Sequence, residues 1–384
     1  MNTPPLLESK LPEVGSSIFT VMSQLARQHQ ALNLSQGFPE FDCPAGLAEL
    51  VGCYTRRGFN QYAPMAGLPA LREKISGKTQ LLYGRAPNPE TEITVTSGAT
   101  EALFAAIAAV VRPGDEVLVI EPAYDSYVPA IRLNGGVPVF CPLTVPDFRI
   151  DWERVKACLS PKTRLMLINT PHNPSGAVLG PEDLHELSQL VAGTGIFLIG
   201  DEVYEHMVYD GQAHQSLLRR PELAARSFVI SSFGKTYHAT GWKVGYCVAP
   251  PALSAEFRKI HQYLTFSTTT PIQYALADYL DHTAHYLELP AFFEQKRNLF
   301  RELLAGSRFT LIPAGGTYFQ LLGYGAISGE PDQDFARRLT REIGVASIPI
   351  SVFYHNGYDP RLLRFCFAKN DDTLREAAAR LCTL

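Results

Sequence analysis

The chain has 384 residues, 46% of them hydrophobic and 19% charged, with a formal net charge of −4. That length exceeds what one hydrophobic core usually serves, so two domains are expected, and the weakly acidic balance gives no basic field for nucleic acid or an anionic membrane. Met1 to Val14 lacks a basic segment followed by an apolar one, and the longest apolar run, Ala102 to Val111, is too short to span a bilayer, so a cytoplasmic protein acting on small molecules is expected.

In chain order, the segment Ser16 to Cys43 is expected to pack with the C-terminal part. The run Ile93-Thr94-Val95-Thr96 reads as a buried strand, followed by Ser97-Gly98-Ala99-Thr100 and a helix Glu101 to Val111. Strands are predicted at Glu116 to Ile120 and Arg164 to Asn169, then a helix at Pro181 to Val191 with proline at its first position. Strands Ile196 to Ile199 and Phe228 to Ile230 follow. Such alternation predicts an α/β fold with a mostly parallel sheet covered by helices on both faces. Beyond about Asp281 come a helix Phe292 to Leu304, the runs Phe309 to Ile312 and Thr317 to Leu322, and a helix Asp334 to Ile343. Val345 to Ile348, a strand Leu362 to Ala368 and a helix Asp372 to Leu381 complete a smaller α+β unit. The expected division is 1–45 as an N-terminal arm and segment on the small domain, 46–285 as the large domain and 286–384 as the small domain.

In open α/β sheets ligands bind beyond the carboxyl ends of the strands, so polar residues should gather there. They do. Ser97-Gly98-Ala99-Thr100 offers a helix N-terminus to a phosphate, Thr170-Pro171-His172-Asn173-Pro174-Ser175-Gly176 holds Asn173 in a stiff loop, and Gly200-Asp201-Glu202-Val203-Tyr204 brings a carboxylate. After Phe228 to Ile230 comes Ser231-Ser232-Phe233-Gly234-Lys235-Thr236-Tyr237-His238-Ala239-Thr240-Gly241-Trp242-Lys243. Each of these alone is weak: Gly98 to Thr100 could be an ordinary turn, Asp201 a helix cap and Lys235 a solvated loop lysine.

Short motifs compete for Lys235. Ser232-Phe233-Gly234-Lys235 matches the acylating tetrapeptide of penicillin-recognising enzymes, but the Lys-Thr-Gly and Ser-Asp-Asn that complete it are missing. Gly234-Lys235-Thr236 resembles the end of a P-loop, yet Val229 stands where the first glycine is required. A lysine amine that condenses with an aldehyde, flanked by Ser232 and Lys243 for a phosphate, suits pyridoxal 5′-phosphate. Seven scattered cysteines without a Cys-x-x-Cys pair, and no His-Glu-x-x-His, predict free thiols and no metal site. Asn33-Leu34-Ser35 is a glycosylation sequon by chance only.

Over essentially its whole length the chain resembles the fold-type I aminotransferases that depend on pyridoxal 5′-phosphate. The resemblance rests on Asn33 to Phe41, on Asn60-Gln61-Tyr62-Ala63-Pro64, on Asn173 to Gly176, on Asp201 to Tyr204, on the Lys235 stretch and on Arg364-Phe365-Cys366-Phe367-Ala368. It is closest to the branch of methionine, kynurenine and glutamine–phenylpyruvate aminotransferases. By this resemblance Lys235 carries the cofactor and shuttles a proton, and Asp201 pairs with the pyridine nitrogen. Asn173 and Tyr204 bond the phenolic oxygen, and Tyr124 stacks on the ring. Gly98, Ala99, Thr100, Ser232 and Lys243 form the phosphate cup, with Tyr62 reaching in from a second subunit of a homodimer. Lys243 stands where the family often has arginine, so this contact is less directional. Arg364 grips the substrate carboxylate with the backbone near Gly37 closing over it, and Phe19, Tyr62, Tyr124 and Phe266 are available for a side-chain pocket, Tyr62 and Phe266 serving the neighbour's site.

The resemblance implies transfer of the amino group of a large uncharged L-amino acid, methionine foremost, to a 2-oxo acid. Within the fold the rival is a carbon–sulfur β-lyase; from another class, it is a regulator that binds the cofactor without catalysis. Intact Lys235, Asp201 and Arg364 count against the latter.

Overall fold

The computed structural model of the protein describes residues 7–384; residues 1–6 of the expected N-terminal arm lie outside the described residues. In chain order the strands are β1 (Leu32–Asn33), β2 (Ile93–Thr96), β3 (Glu116–Glu121), β4 (Val137–Pro142), β5 (Thr163–Asn169), β6 (Phe197–Asp201), β7 (Ser227–Ser232) and β8 (Gly245–Val248). They continue as β9 (Thr310–Leu311), β10 (Phe319–Gly323), β11 (Val345–Ala346), β12 (Ile348–Pro349) and β13 (Leu362–Cys366).

Seven strands make the central sheet in the order β2-β8-β7-β6-β5-β3-β4. Only β8 runs antiparallel to its neighbours. The near-continuous apolar runs have a direct cause: both faces are covered. Val117, Val119, Leu165, Leu167, Phe228 and Ile230 join one buried cluster, while Leu118, Ile120, Met166, Ile168 and Val229, alternating with them, join another. The helix Ala99–Val110 packs on the sheet and on the helix Pro251–Leu264 with its buried alanines 102, 105, 106 and 109, small side chains that allow close approach.

The C-terminal part forms an antiparallel sheet of order β12-β13-β10-β9. The early segment meets this part: β1 pairs in parallel with β11, Leu32 opposite Val345, and the Cys366 amide donates to Leu34 O. The helix Ile18–Gln28 lies against β11 and β12. None of the described residues forms a helix long and apolar enough to cross a membrane.

Several boundaries differ from the expectation. The strand placed at Ile196 to Ile199 runs on through Gly200 and Asp201, with Asp201 opposite Asn169 and Ile230, so the carboxylate is fixed by the sheet and caps no helix. Ser232 is likewise the last residue of β7. The run Val345 to Ile348 splits into β11 and β12, which serve two different sheets. The helix expected over Asp334 to Ile343 is α-helical over Asp332–Arg338 and widens to a π-turn over Leu339–Ile343, ending at Gly344 with φ of 74°. Two strands of the seven-stranded sheet have no counterpart in the sequence expectation. β4 contains Pro138 and Pro142, which an edge strand tolerates, and β8 is a short run directly after the glycine-rich Lys235 loop.

Candidate active site

A cavity of about 290 Å³ opens beyond the carboxyl ends of β5, β6 and β7. It brings together Phe19, Gly37, Gly98, Ala99, Thr100, Tyr124, Asn173, Asp201, Tyr204, Ser232, Lys235, Lys243 and Arg364, all singled out from the sequence. Tyr62 and Phe266 do not line it. Their rings meet edge to face at 5.2 Å on the outside, Tyr62 being 83% exposed and Phe266 45%. Phe266, expected with Tyr62 to serve the neighbour's site, follows the end of the helix Pro251–Leu264, where the chain turns outward with φ of 67°.

Lys235 sits in a single helical turn, Phe233–Thr236, that Ser232 caps through its side chain. Its amine is 2.8 Å from Gly37 O and 2.9 Å from the Tyr318 hydroxyl. Burial, with the like charges of Arg364 and Lys243, outweighs Asp201 and lowers the amine to about 8, from the usual range near 10.4. It is no solvated loop lysine.

Asp201 is buried and accepts a hydrogen bond from the Tyr127 hydroxyl at 2.6 Å. Burial pushes its carboxyl up to about 6, against the opposing hydrogen bonds from Tyr127 and the Val203 amide. Among the described residues no cation forms a salt bridge with it, so a cationic group in the cavity would supply what the fold leaves out. Asn169 donates to Asp201 O and accepts from the Asn173 amide, both at 2.8 Å, tying the two loops together.

Arg364 is 1% exposed and has no carboxylate partner among the described residues. Its guanidinium donates to Asn173 Oδ1 at 2.7 Å and Ser35 O at 3.0 Å, while Nε has no partner. The rings of Phe319, at 3.9 Å, Phe19, at 5.2 Å, and Phe353, at 5.6 Å, surround it. Aromatic faces stabilise a cation without neutralising it, so the guanidinium remains available for an anion.

At the other end of the cavity the helix Ala99–Val110 starts, with Gly98 at φ of 80° and the Lys243 side chain against it. A helix N-terminus, Ser232 Oγ and a lysine form a ready cradle for a phosphate. Tyr124 presents its ring to the cavity, and burial first, then Asp125 and Asp201, raise its hydroxyl to about 12. Behind the site Lys78 and Glu205 form a buried pair at 2.6 Å that also engages Tyr246 and Ser231, joining the ends of β6 and β7.

Sequence reasoning missed Gln36, Tyr127, Asn169, Tyr318, Phe319 and Phe353. Tyr127 carried a faint signal, one helical turn after Tyr124, but Tyr318 and Phe319 read only as strand residues. Their role arises from the pairing of β10 with β13, which sets Leu321 opposite Arg364 and Phe319 opposite Cys366.

The model of the class I and II aminotransferases matches residues 29–381. The chain is 54% identical to the methionine aminotransferase of Escherichia coli K12 over 381 residues, 99% of each chain. A solved structure of an Escherichia coli protein described as a methionine aminotransferase superposes with a TM-score of 0.98 at 54% identity, covering 99% of this chain and all of that one. The N-succinyldiaminopimelate aminotransferase of Mycobacterium tuberculosis gives 0.94 at 36% identity, over 98% of this chain and 100% of that one. A kynurenine–oxoglutarate transaminase of Dictyostelium discoideum is 35% identical over 96% of this chain and 94% of its own. The cavity and these likenesses agree: the chain belongs to the class I and II aminotransferases and has their fold-type I architecture.

Proposed function

We propose that this aminotransferase uses pyridoxal 5′-phosphate, works as a homodimer, and transfers the amino group of methionine or another large uncharged L-amino acid to a 2-oxo acid. The cofactor, when bound, supplies an aldehyde for the amino group and a cationic ring that draws electrons from the substrate Cα. Lys235 holds it covalently, and as a free amine takes the proton from the substrate Cα; an amine that titrates near 8 is a usable base. Asp201 keeps the pyridine nitrogen protonated. Tyr204 and the Asn173 amide group, whose oxygen is engaged by Arg364, would donate to the phenolic oxygen, and the Tyr124 ring would flank the cofactor ring. The amides of Gly98, Ala99 and Thr100, with Ser232 and Lys243, hold the phosphate, and Tyr62 of the second subunit completes that end.

One observation carries the choice of substrate. The cations lining the cavity are Lys235, Lys243 and Arg364, and all three have tasks. None is left for a side-chain carboxylate, whose unpaired burial is costly, whereas Phe19, Tyr124 and Phe319 offer the faces that a thioether or an aromatic ring prefers. The Escherichia coli methionine aminotransferase, at 54% identity, supports the same reading.

The test is a panel of amino donors against one 2-oxo acid. Methionine should exceed aspartate by roughly tenfold or more in kcat/KM, the order that one unpaired buried charge produces. Aspartate as the best donor would refute the pocket, and pyruvate with a thiol as products would indicate β-elimination. Borohydride reduction followed by peptide mass spectrometry should place the pyridoxyl label on Lys235.

A further inference from the structure

Tyr318, just before β10, is fully buried. Its hydroxyl donates to Gly37 O, and its oxygen lies 2.9 Å from Lys235 Nζ, whose other partner is the same Gly37 O at 2.8 Å. A neutral amine has two N–H donors and one lone pair at the corners of a tetrahedron, and an ammonium has three donors. Because the Tyr318 proton is committed to Gly37, its oxygen accepts from the lysine. Two neighbouring acceptors thus take both N–H groups of the neutral amine, and the lone pair is turned away from them.

We propose that Tyr318 is a positioning residue that fixes the direction of the Lys235 lone pair while the amine acts as a base. The proposal rests on the reading of Lys235 as anchor and base. Other groups face the amine. Asp201 acts on it with one sign of charge and Arg364 and Lys243 with the other, the Cys366 thiol is also near, and the rings of Tyr204 and Tyr318 lie 5.6 Å away. Among the described residues only Gly37 and Tyr318 hydrogen-bond it. Charges change how readily the amine holds a proton; only the acceptors set where its lone pair points.

The first readout uses the apoprotein. The rate of Lys235 modification by trinitrobenzenesulfonate, followed against pH and located by peptide mass spectrometry, gives the titration of the amine directly. In Tyr318→Phe it should move down by about one pH unit, because a buried ammonium loses one of its two acceptors. The second readout is the loaded enzyme, where kcat should fall roughly tenfold for every donor while KM stays within about twofold. Both changes together support the proposal. Either one alone, neither, or a rise in KM overturns it, the last by assigning Tyr318 to substrate binding. If Tyr318→Phe does not fold, 3,5-difluorotyrosine at 318 keeps the shape and weakens the acceptor, and the same two shifts, smaller in size, are required. Borohydride labelling of both proteins separates the two readings: a label on another lysine sinks the role of Lys235, whereas Tyr318 fails with the label still on Lys235.

Discussion

Asp201 and Arg364 are buried charges without a counter-ion among the described residues, and each makes a different measurable promise. The Asp201 carboxyl titrates near 6 in the fold, above the value of about 3.9 expected when unfolded. The folded state therefore binds more protons between these values, and the fold is fully penalised only above about pH 6. Asp201→Asn removes the charge and keeps an acceptor for Tyr127. Its apoprotein should be more stable than wild type by on the order of 2 kcal/mol at pH 7.5, with the gap shrinking as pH is lowered to 5. Thermal unfolding across that range checks it; a gap that grows on acidification is the wrong sign. The same variant should lose most transamination, since an amide cannot hold a pyridinium proton. Arg364→Lys loses the fork and its stack on Phe319, and KM should rise roughly tenfold or more for all amino and 2-oxo acids alike, because all share the carboxylate. Steady-state kinetics on several substrates decides; an effect on one alone would mean that Arg364 reads side chains. Lys235 and Asp201 were legible through their joint placement after successive strands, and Arg364 through the family resemblance. Tyr318 and Phe319 were not, since an aromatic in a strand carries no mark that separates a core residue from one that bonds a lysine or stacks on an arginine.

Elements were legible where their pattern is local. The helix Pro181–Val191 has its proline start and its apolar spacing, and its expected limits are the observed ones. β8 was not, because its place depends on what it touches. A Cβ at Gly245 would stand 2.7 Å from Ser231 O and 3.0 Å from the Ala99 amide nitrogen, so this glycine lets β8 bring the helix Ala99–Val110 beside the end of β7. Gly245→Ala must spread these apart. We expect cofactor affinity to drop by roughly tenfold or more and the melting temperature by several degrees, within the range of overpacked core sites. Equilibrium dialysis and thermal unfolding measure the two; unchanged affinity would show that the phosphate end does not depend on this contact.

At the scale of the whole molecule, the aromatic pair Tyr62 and Phe266 on the outside is the feature that one chain cannot explain. With Tyr62 at 83% exposed, removing its hydroxyl should leave the apoprotein's stability within about 0.5 kcal/mol. In the proposed dimer, Tyr62→Phe should nevertheless raise the dissociation constant for cofactor by roughly fivefold or more, the worth of one hydrogen bond to a charged group. Calorimetry on the same samples tests both halves, and unchanged cofactor binding would take Tyr62 out of the neighbour's site. Sequence could name this residue but not the surface it meets, because an interface pairs residues from separate chains. The early segment also shows how the parts depend on each other. Ser35 offers its carbonyl to Arg364 and Gly37 its carbonyl to Lys235, while β1 anchors the same stretch beside β11. Carbonyls survive nearly any substitution, apart from Gly37 itself, where a Cβ would stand 3.0 Å from the Phe319 ring. What this stretch cannot survive is a change of length: one residue inserted or deleted between Asn33 and Ser35 would displace both carbonyls at once.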